Sequence, residues 1–259
     1  MYYSAVIGMN IGLVNIIRNA TIVAVLFEGS REDLKFREIR DELWIIGAML
    51  CAPLVILYYT LIPSGIIMFV LITHIFSIAI GIIIAIVLAM LGFMGGGDAK
   101  AYMFLSIFEP PALGTIEVLP PSLSIMINSI VVSLTMTLYI LMKNLKNVRK
   151  YGIFKRFKEP LLKRVAVLFL AYEEDVKKVK KEPWKYFISE DLSSRDKFIL
   201  IYRIPEKEDI VNNLSDNDRI LVSPAIPMLV FIFIGYIIYL LYGNIVLVML
   251  DRLLRTGIA

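Results

Sequence analysis

Two aspartates in this sequence lie where long apolar runs end, and their positions suit acid–base chemistry. Asp98 follows Gly95, Gly96 and Gly97 at the end of the longest uncharged stretch, and Asp33 comes just after the first apolar run. Desolvation disfavours a charged carboxylate, and two neighbouring carboxylates cannot both ionise cheaply. Such a pair shares a proton, so that one member acts as a base and the other as an acid.

This is the chemistry of aspartic proteases: the base takes a proton from the water that attacks a peptide carbonyl, and the acid polarises that carbonyl. Competing mechanisms lack residues, because Cys51 and His74 are the only cysteine and histidine. A structural zinc site needs several thiolates or imidazoles. A Ser-His-Asp triad would have to use a histidine in the middle of an apolar run. We therefore expect no metal, no cofactor and no disulfide within the chain.

The composition indicates what kind of protein positions these acids. Of the 259 residues, 58% are hydrophobic and 19% are charged, and the mean hydropathy is +0.75. No Asp, Glu, Lys or Arg occurs between Glu42 and Asp98, which is room for two crossings at roughly 20 residues each. The sequence predicts an all-α polytopic membrane protein whose surroundings are the lipid bilayer. The net charge of +4 then reflects topology rather than nucleic-acid binding.

The uncharged runs predict about six transmembrane helices. The longer runs cover residues 1–27 (with Arg18 inside), 43–62, 66–94, 122–142 and 220–250, and a shorter one covers 101–108. Two crossings separate Asp33 from Asp98. Because an even number of crossings returns the chain to the same side, both aspartates are expected at one face of the membrane.

Basic residues predict which face that is, because Lys and Arg are retained in cytoplasmic loops near the ends of spans. The segment 28–42 has four basic residues, and the segment 143–219 has nineteen of the chain's 27. Six alternating crossings place both segments on the cytoplasmic side of the cell membrane. The aspartates are then cytoplasmic, and both termini are expected outside.

These patterns predict three parts of the chain. Residues 1–142 form transmembrane helices 1–5 with both aspartates, residues 143–219 form a small cytoplasmic subdomain, and residues 220–259 form the last transmembrane helix and the C-terminus. Within the subdomain we predict a basic, partly amphipathic helical stretch at 144–181 and a strand at 198–204. This segment either only fixes the topology or also docks a substrate, and the sequence favours neither.

Three segments resemble a known family. The first begins at Asp33 and continues with Lys35, Arg37-Glu38-Ile39, Asp41 and Trp44; the second is Gly95-x-Gly97-Asp98 with Lys100; the third is Val222-Ser223-Pro224-Ala225-Ile226-Pro227. Together they are similar to the archaeal preflagellin and type IV prepilin-like signal peptidases, membrane aspartic proteases of the GxGD class. Residues 1 to about 15 look like an extension relative to this family, and the 143–219 segment matches it only loosely.

The resemblance implies an aspartic endopeptidase that removes short basic leader peptides from the precursors of flagellin, pilin or surface proteins at the cytoplasmic membrane face. Asp33 and Asp98 would be catalytic, and Gly95, Gly97, Lys35 and Lys100 would support them. The partners would be these leader peptides. Acidic side chains around the first aspartate would attract a basic leader; they are Glu32, Glu38, Asp41 and Glu42. Since Cys51 is the only cysteine, we expect no cysteine-rich zinc domain and no methyltransferase activity of the kind that bacterial relatives add.

Two other classes remain as alternatives. An intramembrane protease of the presenilin or signal-peptide-peptidase kind shares Gly-x-Gly-Asp and a Pro-Ala-Leu motif that residues 224–226 distantly resemble. However, its first aspartate lies within a span, whereas Asp33 lies in a charged segment. A non-enzymatic transporter would explain Asn15, Arg18 and Asp98 as a polar pathway. It does not explain the charged segment around Asp33.

Overall fold

A computed structural model of the chain describes residues 2–113, 119–151, 159–191, 197–198, 214–216 and 218–256. Its helices are α1 (Tyr2–Phe36), α2 (Asp41–Leu61), α3 (Ser64–Met90), α4 (Gly96–Phe108), α5 (Pro121–Tyr151), α6 (Leu161–Leu170), α7 (Val176–Lys181), α8 (Met228–Tyr242) and α9 (Ile245–Thr256). Its strands are β1 (Tyr172–Asp175), β2 (Tyr186–Ile188) and β3 (Arg219–Pro224). The prediction of a helical membrane protein is confirmed.

Four helices in the described part of the chain are long and apolar enough to cross a membrane. They are α1 from Asn10, α2, α3, and α5 as far as Lys146. A fifth span is present if α8 and α9, which are bent by 45° at a short break, count as one. The two crossings predicted between the aspartates correspond to the candidate spans α2 and α3.

The short apolar run at 101–108 belongs to α4, which has 13 residues. At a rise of 1.5 Å per residue this helix is about 20 Å long, shorter than a hydrocarbon core of roughly 30 Å. Residue Asp98 in its first turn therefore lies outside the four long helices. The structure has four or five candidate spans by length, against the six helices expected when this run is included.

The turn from α1 to α2 is stabilised by contacts between the end of α1 and the residue that precedes α2. Arg37 has a positive φ of 57°, a left-handed conformation that ends α1. The Glu32 carboxylate then accepts hydrogen bonds from the backbone N–H and the guanidinium of Arg40. Residues 37–40 are thereby folded back onto the last turn of α1.

The last apolar run, expected to be one helix from Ile220, begins instead as strand β3. This strand pairs antiparallel with β1 and β2, in the order β1-β3-β2, and its residues Ile220, Leu221 and Val222 are fully buried. A short apolar run that is covered on both faces suits a strand as well as a helix. The helical part of the run starts only at Met228.

The helical stretch expected at 144–181 is also interrupted by a strand, because β1 separates α6 from α7. The reason is pairing: β1 lies in register with β3, with Tyr172 opposite Val222. Of the strand expected at 198–204, only Phe198 is described, and it forms an isolated bridge with Glu190. Residues 199–204 lie outside the described residues.

The chain divides into two compact units, residues 1–132 with 227–259, and residues 133–226. The core of the first unit is built where α1, α2, α4 and α8 pack together. Its buried members include Ile22, Leu26, Trp44, Phe104 and Tyr236. The boundaries predicted at 142 and 219, and the folding of 143–219 as a subdomain, stay predictions.

Candidate active site

Asp33 lies in the last turn of α1 and is buried, with 8% of its surface exposed. Its Oδ1 atom is 3.7 Å from a guanidinium nitrogen of Arg37, one helical turn later. The Arg37 side chain is itself mostly covered, with 20% exposed, so this pair is less screened than a surface pair. The guanidinium therefore stabilises the ionised form of Asp33.

Asp98 lies in the first turn of α4, where its carboxylate accepts a hydrogen bond from the N–H of Gly95 at 3.1 Å. This contact caps the helix, because it satisfies an N–H group that has no partner within α4. Burial, and to a smaller extent the nearby negative charge of Asp33, together raise the pKa of Asp98 to about 6. The Gly95 N–H opposes this rise.

The structure thus brings together two carboxyl groups that are far apart in the sequence. Asp33 and Asp98 interact electrostatically, and the backbone of Leu229 lies close to both acids, although the buried Oδ2 atom of Asp33 has no hydrogen-bond partner among the described residues. Leu229 is the second residue of α8, so its N–H is not used within that helix. Three helices, α1, α4 and α8, therefore meet at the two acids.

Leu229 is placed by close packing against α1. The residue is fully buried, and a side chain on Gly29 would bring a Cβ atom within 2.8 Å of Leu229 Cδ2. The adjacent Ser30 hydroxyl donates a hydrogen bond to the Leu229 carbonyl at 3.3 Å. Because both contacts are made one turn before Asp33, the position of the Leu229 amide is tied to that of the first acid.

The two motif glycines have different roles in this geometry. Gly95 is exposed and supplies the capping N–H for Asp98. Gly97 faces Ile39, because a Cβ atom there would lie 2.6 Å from Ile39 Cδ1. The missing side chain at Gly97 therefore lets the segment between α1 and α2 pack over the start of α4.

The two lysines lie near the acids in the sequence but make their contacts elsewhere. Lys35 is exposed at the end of α1, and its charge acts on Glu28. Lys100 forms an ion pair with Asp41 at 2.5 Å, with half or more of each side chain exposed. In the contacts of the described residues, Lys100 thus joins α4 to α2, and neither lysine contacts Asp33 or Asp98.

Some of the acids expected to attract a basic leader are already paired. Glu32 is buried against Arg40, and Asp41 pairs with Lys100. Glu38 and Glu42 are exposed, and they are the members of this set best placed to meet a basic peptide.

Two contributors at the site were not predicted from the sequence as site residues. Arg37 was noted only as part of a motif, although an Arg four residues after an Asp on a helix is a recognisable pairing pattern. Leu229 acts through its backbone, and side-chain identity gives no signal of that. Among the described residues, no group of three or more His, Cys, Asp or Glu residues could hold a metal ion.

The chain matches a sequence model of the type IV leader peptidase family over residues 20–141, a range that contains both aspartates. An uncharacterized protein of Methanocaldococcus jannaschii is 31% identical over 244 residues, covering 82% of this chain and 87% of the relative. The chain therefore belongs to the type IV leader peptidase family. The preflagellin peptidase of the same organism is 27% identical over 229 residues, covering 82% of this chain and 88% of that protein.

These matches confirm the predictions of a peptidase and of a leader-processing role at the level of the family. With the long apolar helices they also support the prediction of a membrane protein.

Proposed function

We propose that this protein is a membrane-embedded aspartic endopeptidase that removes short basic leader peptides from preflagellin-like or prepilin-like precursors at the cytoplasmic face of the membrane. The observation that carries the proposal is the packing of α1 and α4 with α8, which brings Asp33 and Asp98 close enough to interact electrostatically. Two interacting, partly dehydrated carboxyl groups are the components that activation of water on a peptide carbonyl requires.

The surroundings of the two acids favour different roles. Arg37 lies beside Asp33 and partly offsets the cost of burying its charge, so of the two acids we assign Asp33 as the base that takes a proton from the attacking water. Burial raises the pKa of Asp98 to about 6, so Asp98 more readily carries a proton. It polarises the carbonyl oxygen and later supplies a proton to the leaving amine. The pair titrates as a unit, so a pH–rate profile reports macroscopic pKa values.

The supporting residues position these acids. Gly95 caps the helix that carries Asp98, and Gly97 allows the Ile39 segment to cover it. Lys100 holds α4 to α2 through Asp41. We assign Lys35, which is exposed, to membrane topology, since basic residues at a membrane boundary orient the chain.

A cleavage assay tests the catalytic assignment. Membranes that contain the protein are mixed with a preflagellin precursor, and removal of the leader is followed by a mobility shift. Asp33→Asn and Asp98→Asn should each slow cleavage by about 10²-fold or more, the usual range for loss of a general acid or base. The matched control is Asp251→Asn, which changes an exposed aspartate paired with Arg255 in α9. Cleavage at the control's rate by either active-site variant would refute that residue's role.

A labelling experiment tests the orientation. Lys35 is exposed near Asp33, and the native Cys51 is buried, so Lys35→Cys supplies an accessible thiol close to the acids. A membrane-impermeant maleimide should label this variant in inverted vesicles and not in intact cells. The opposite pattern would place the two acids outside and contradict a cytoplasmic site.

A further inference from the structure

A second cluster of charged side chains lies in the first unit, far from the two aspartates. Arg18 precedes Asp33 by fifteen residues on the continuous helix α1, a rise of about 22 Å. Glu109 follows Asp98 by eleven residues at the other end of α4, which is about 16 Å at the same rise. The cluster therefore belongs to the opposite end of these helices.

The charges of this cluster neutralise each other. Arg18 and Glu109 form an ion pair at 3.0 Å, with 3% and 4% of their side chains exposed. The Tyr236 hydroxyl donates a hydrogen bond to the second carboxylate oxygen of Glu109 at 2.7 Å. Both oxygens of Glu109 are thus engaged, which lowers the cost of burying this pair.

The remaining contacts of Arg18 also use acceptors. Its two terminal nitrogens donate to the side-chain oxygens of Asn15 at 2.8 Å and Asn19 at 2.9 Å. The face of the Tyr58 ring covers the guanidinium at 5.5 Å, a favourable cation–π distance. Every side-chain oxygen of Asn15, Asn19 and Glu109 is therefore already used.

What remains is a set of hydrogen-bond donors. The buried Arg18 Nε has no partner in the part of the chain that the structure describes. The side-chain amide nitrogens of Asn15 and Asn19 likewise make no hydrogen bond to another described residue. A buried donor without a partner costs stability, of the order of 1–3 kcal/mol, so an acceptor group placed here would be bound favourably.

The residues that carry these donors line a cavity of about 430 Å³ that also borders Pro110, Tyr242 and the ion pair. The cavity is large enough for a lipid headgroup or a small anion. The depth of the cavity is suitable as well. Arg18 lies about 22 Å from the acids along α1, which is most of the way across a hydrocarbon core of roughly 30 Å. Asn15, Arg18 and Asn19 are therefore near the headgroup layer opposite the proposed active site.

We propose that this cavity binds a phosphate group, supplied either by a phospholipid headgroup from the leaflet opposite the aspartates or by free phosphate. The phosphodiester of a lipid has only acceptor oxygens when ionised, and free phosphate presents two or three unprotonated oxygens near neutral pH. Both match a set of donors provided by an arginine and two amides. The Arg18–Glu109 pair holds these donors in place without leaving a net charge buried. Binding here is separate from peptide cleavage, so it is measured without a substrate.

The test uses the full-length protein in a maltoside detergent, with thermal unfolding followed during titration. The probes are dioctanoyl phosphatidylglycerol, dioctanoylglycerol, sodium phosphate, and sodium chloride at equal ionic strength. We expect a saturable rise in the unfolding temperature with the phospholipid and none with dioctanoylglycerol or chloride. A rise with sodium phosphate as well would show that the free anion is sufficient, and its absence would show that the lipid is the source.

The variant Asn15→Asp/Asn19→Asp locates the binding. Each new carboxylate keeps an oxygen for Arg18, replaces the donor amide and repels phosphate, so the affinity should fall roughly tenfold or more (about 1.4 kcal/mol). The matched control is Asn10→Asp, an exposed change on the same helix, which should keep wild-type affinity. An equal response to phospholipid and dioctanoylglycerol, no response to either phosphate source, or unchanged affinity in the double variant would overturn the proposal.

Discussion

Replacing Asp98 by Asn is expected to stabilise the protein at neutral pH while it slows peptide cleavage. Folding raises the pKa of this carboxyl from 3.8 to about 6, a change of roughly two units, at 1.36 kcal/mol per unit. The folded state therefore loses about 3 kcal/mol when Asp98 ionises at pH 7. Asparagine carries no charge, and its side-chain oxygen can still accept the N–H of Gly95.

The sign of this effect gives a pH signature. Because the folded-state pKa of Asp98 is raised, the wild-type protein keeps its full free energy of unfolding below pH 3.8, where Asp98 is protonated in both states. Part of that stability is lost as the pH rises through about 6. The stability difference between Asp98→Asn and wild type should therefore be small near pH 4, grow between pH 4 and 6, and stay constant above that. Thermal unfolding in detergent from pH 4 to 8 measures it, with an expected gain at pH 8 of roughly 6 °C or more.

The matched control is Asp251→Asn, since Asp251 is an exposed, ion-paired aspartate whose loss should change stability by less than about 1 kcal/mol at any pH. A stability difference for Asp98→Asn that does not vary with pH, or a variant less stable than wild type at pH 8, would refute the claim that desolvation dominates at Asp98.

Two further predictions concern packing and charge in the first unit. Glu109→Gln should destabilise the protein by about 3 kcal/mol, because it leaves the charge of Arg18 buried without a counter-charge. Changing both residues to Met should recover most of that loss. Denaturant unfolding of the wild type and the two variants measures these differences, and equal stability of the single and double variants would contradict the prediction. Gly235→Ala should cost about 2 kcal/mol, because its Cβ would lie 2.7 Å from the backbone nitrogen of Ser129. Gly12→Ala is its control, since nothing lies within 4 Å of that Cβ, and equal losses in both variants would show that the close approach at Gly235 is not responsible.

Helices that coincide with stretches lacking charged residues could be predicted from the sequence. A run without a single ionisable residue between Glu42 and Asp98 has few alternatives to two apolar helices, and α2 and α3 are found there. The same reasoning failed at Ile220. The run continues from a strand into a helix without a charged residue between them. Pro224 and Pro227 mark a break there, but the pairing of β3 with β1 and β2 depends on distant segments.

The two candidate acids could be proposed from the sequence alone, whereas their surroundings could not. Asp33 and Asp98 were identified because an acidic residue at the end of an apolar run is unusual. The roles of Lys35 and Lys100 could not be read in the same way, since a charge near an acid in the sequence can pair elsewhere, as Lys100 does with Asp41. Spatial proximity between α1, α4 and α8 is a property of the packed core.

The amide of Leu229 has a consequence for how the two acids behave. Its N–H is a donor that α8 leaves unused, and it lies close to both carboxyl groups. The start of α8 therefore acts on the pair of acids as a whole and not on one acid alone. Any displacement of α8, for example by a larger residue at Gly29, would disturb both acids together while leaving each side chain chemically intact.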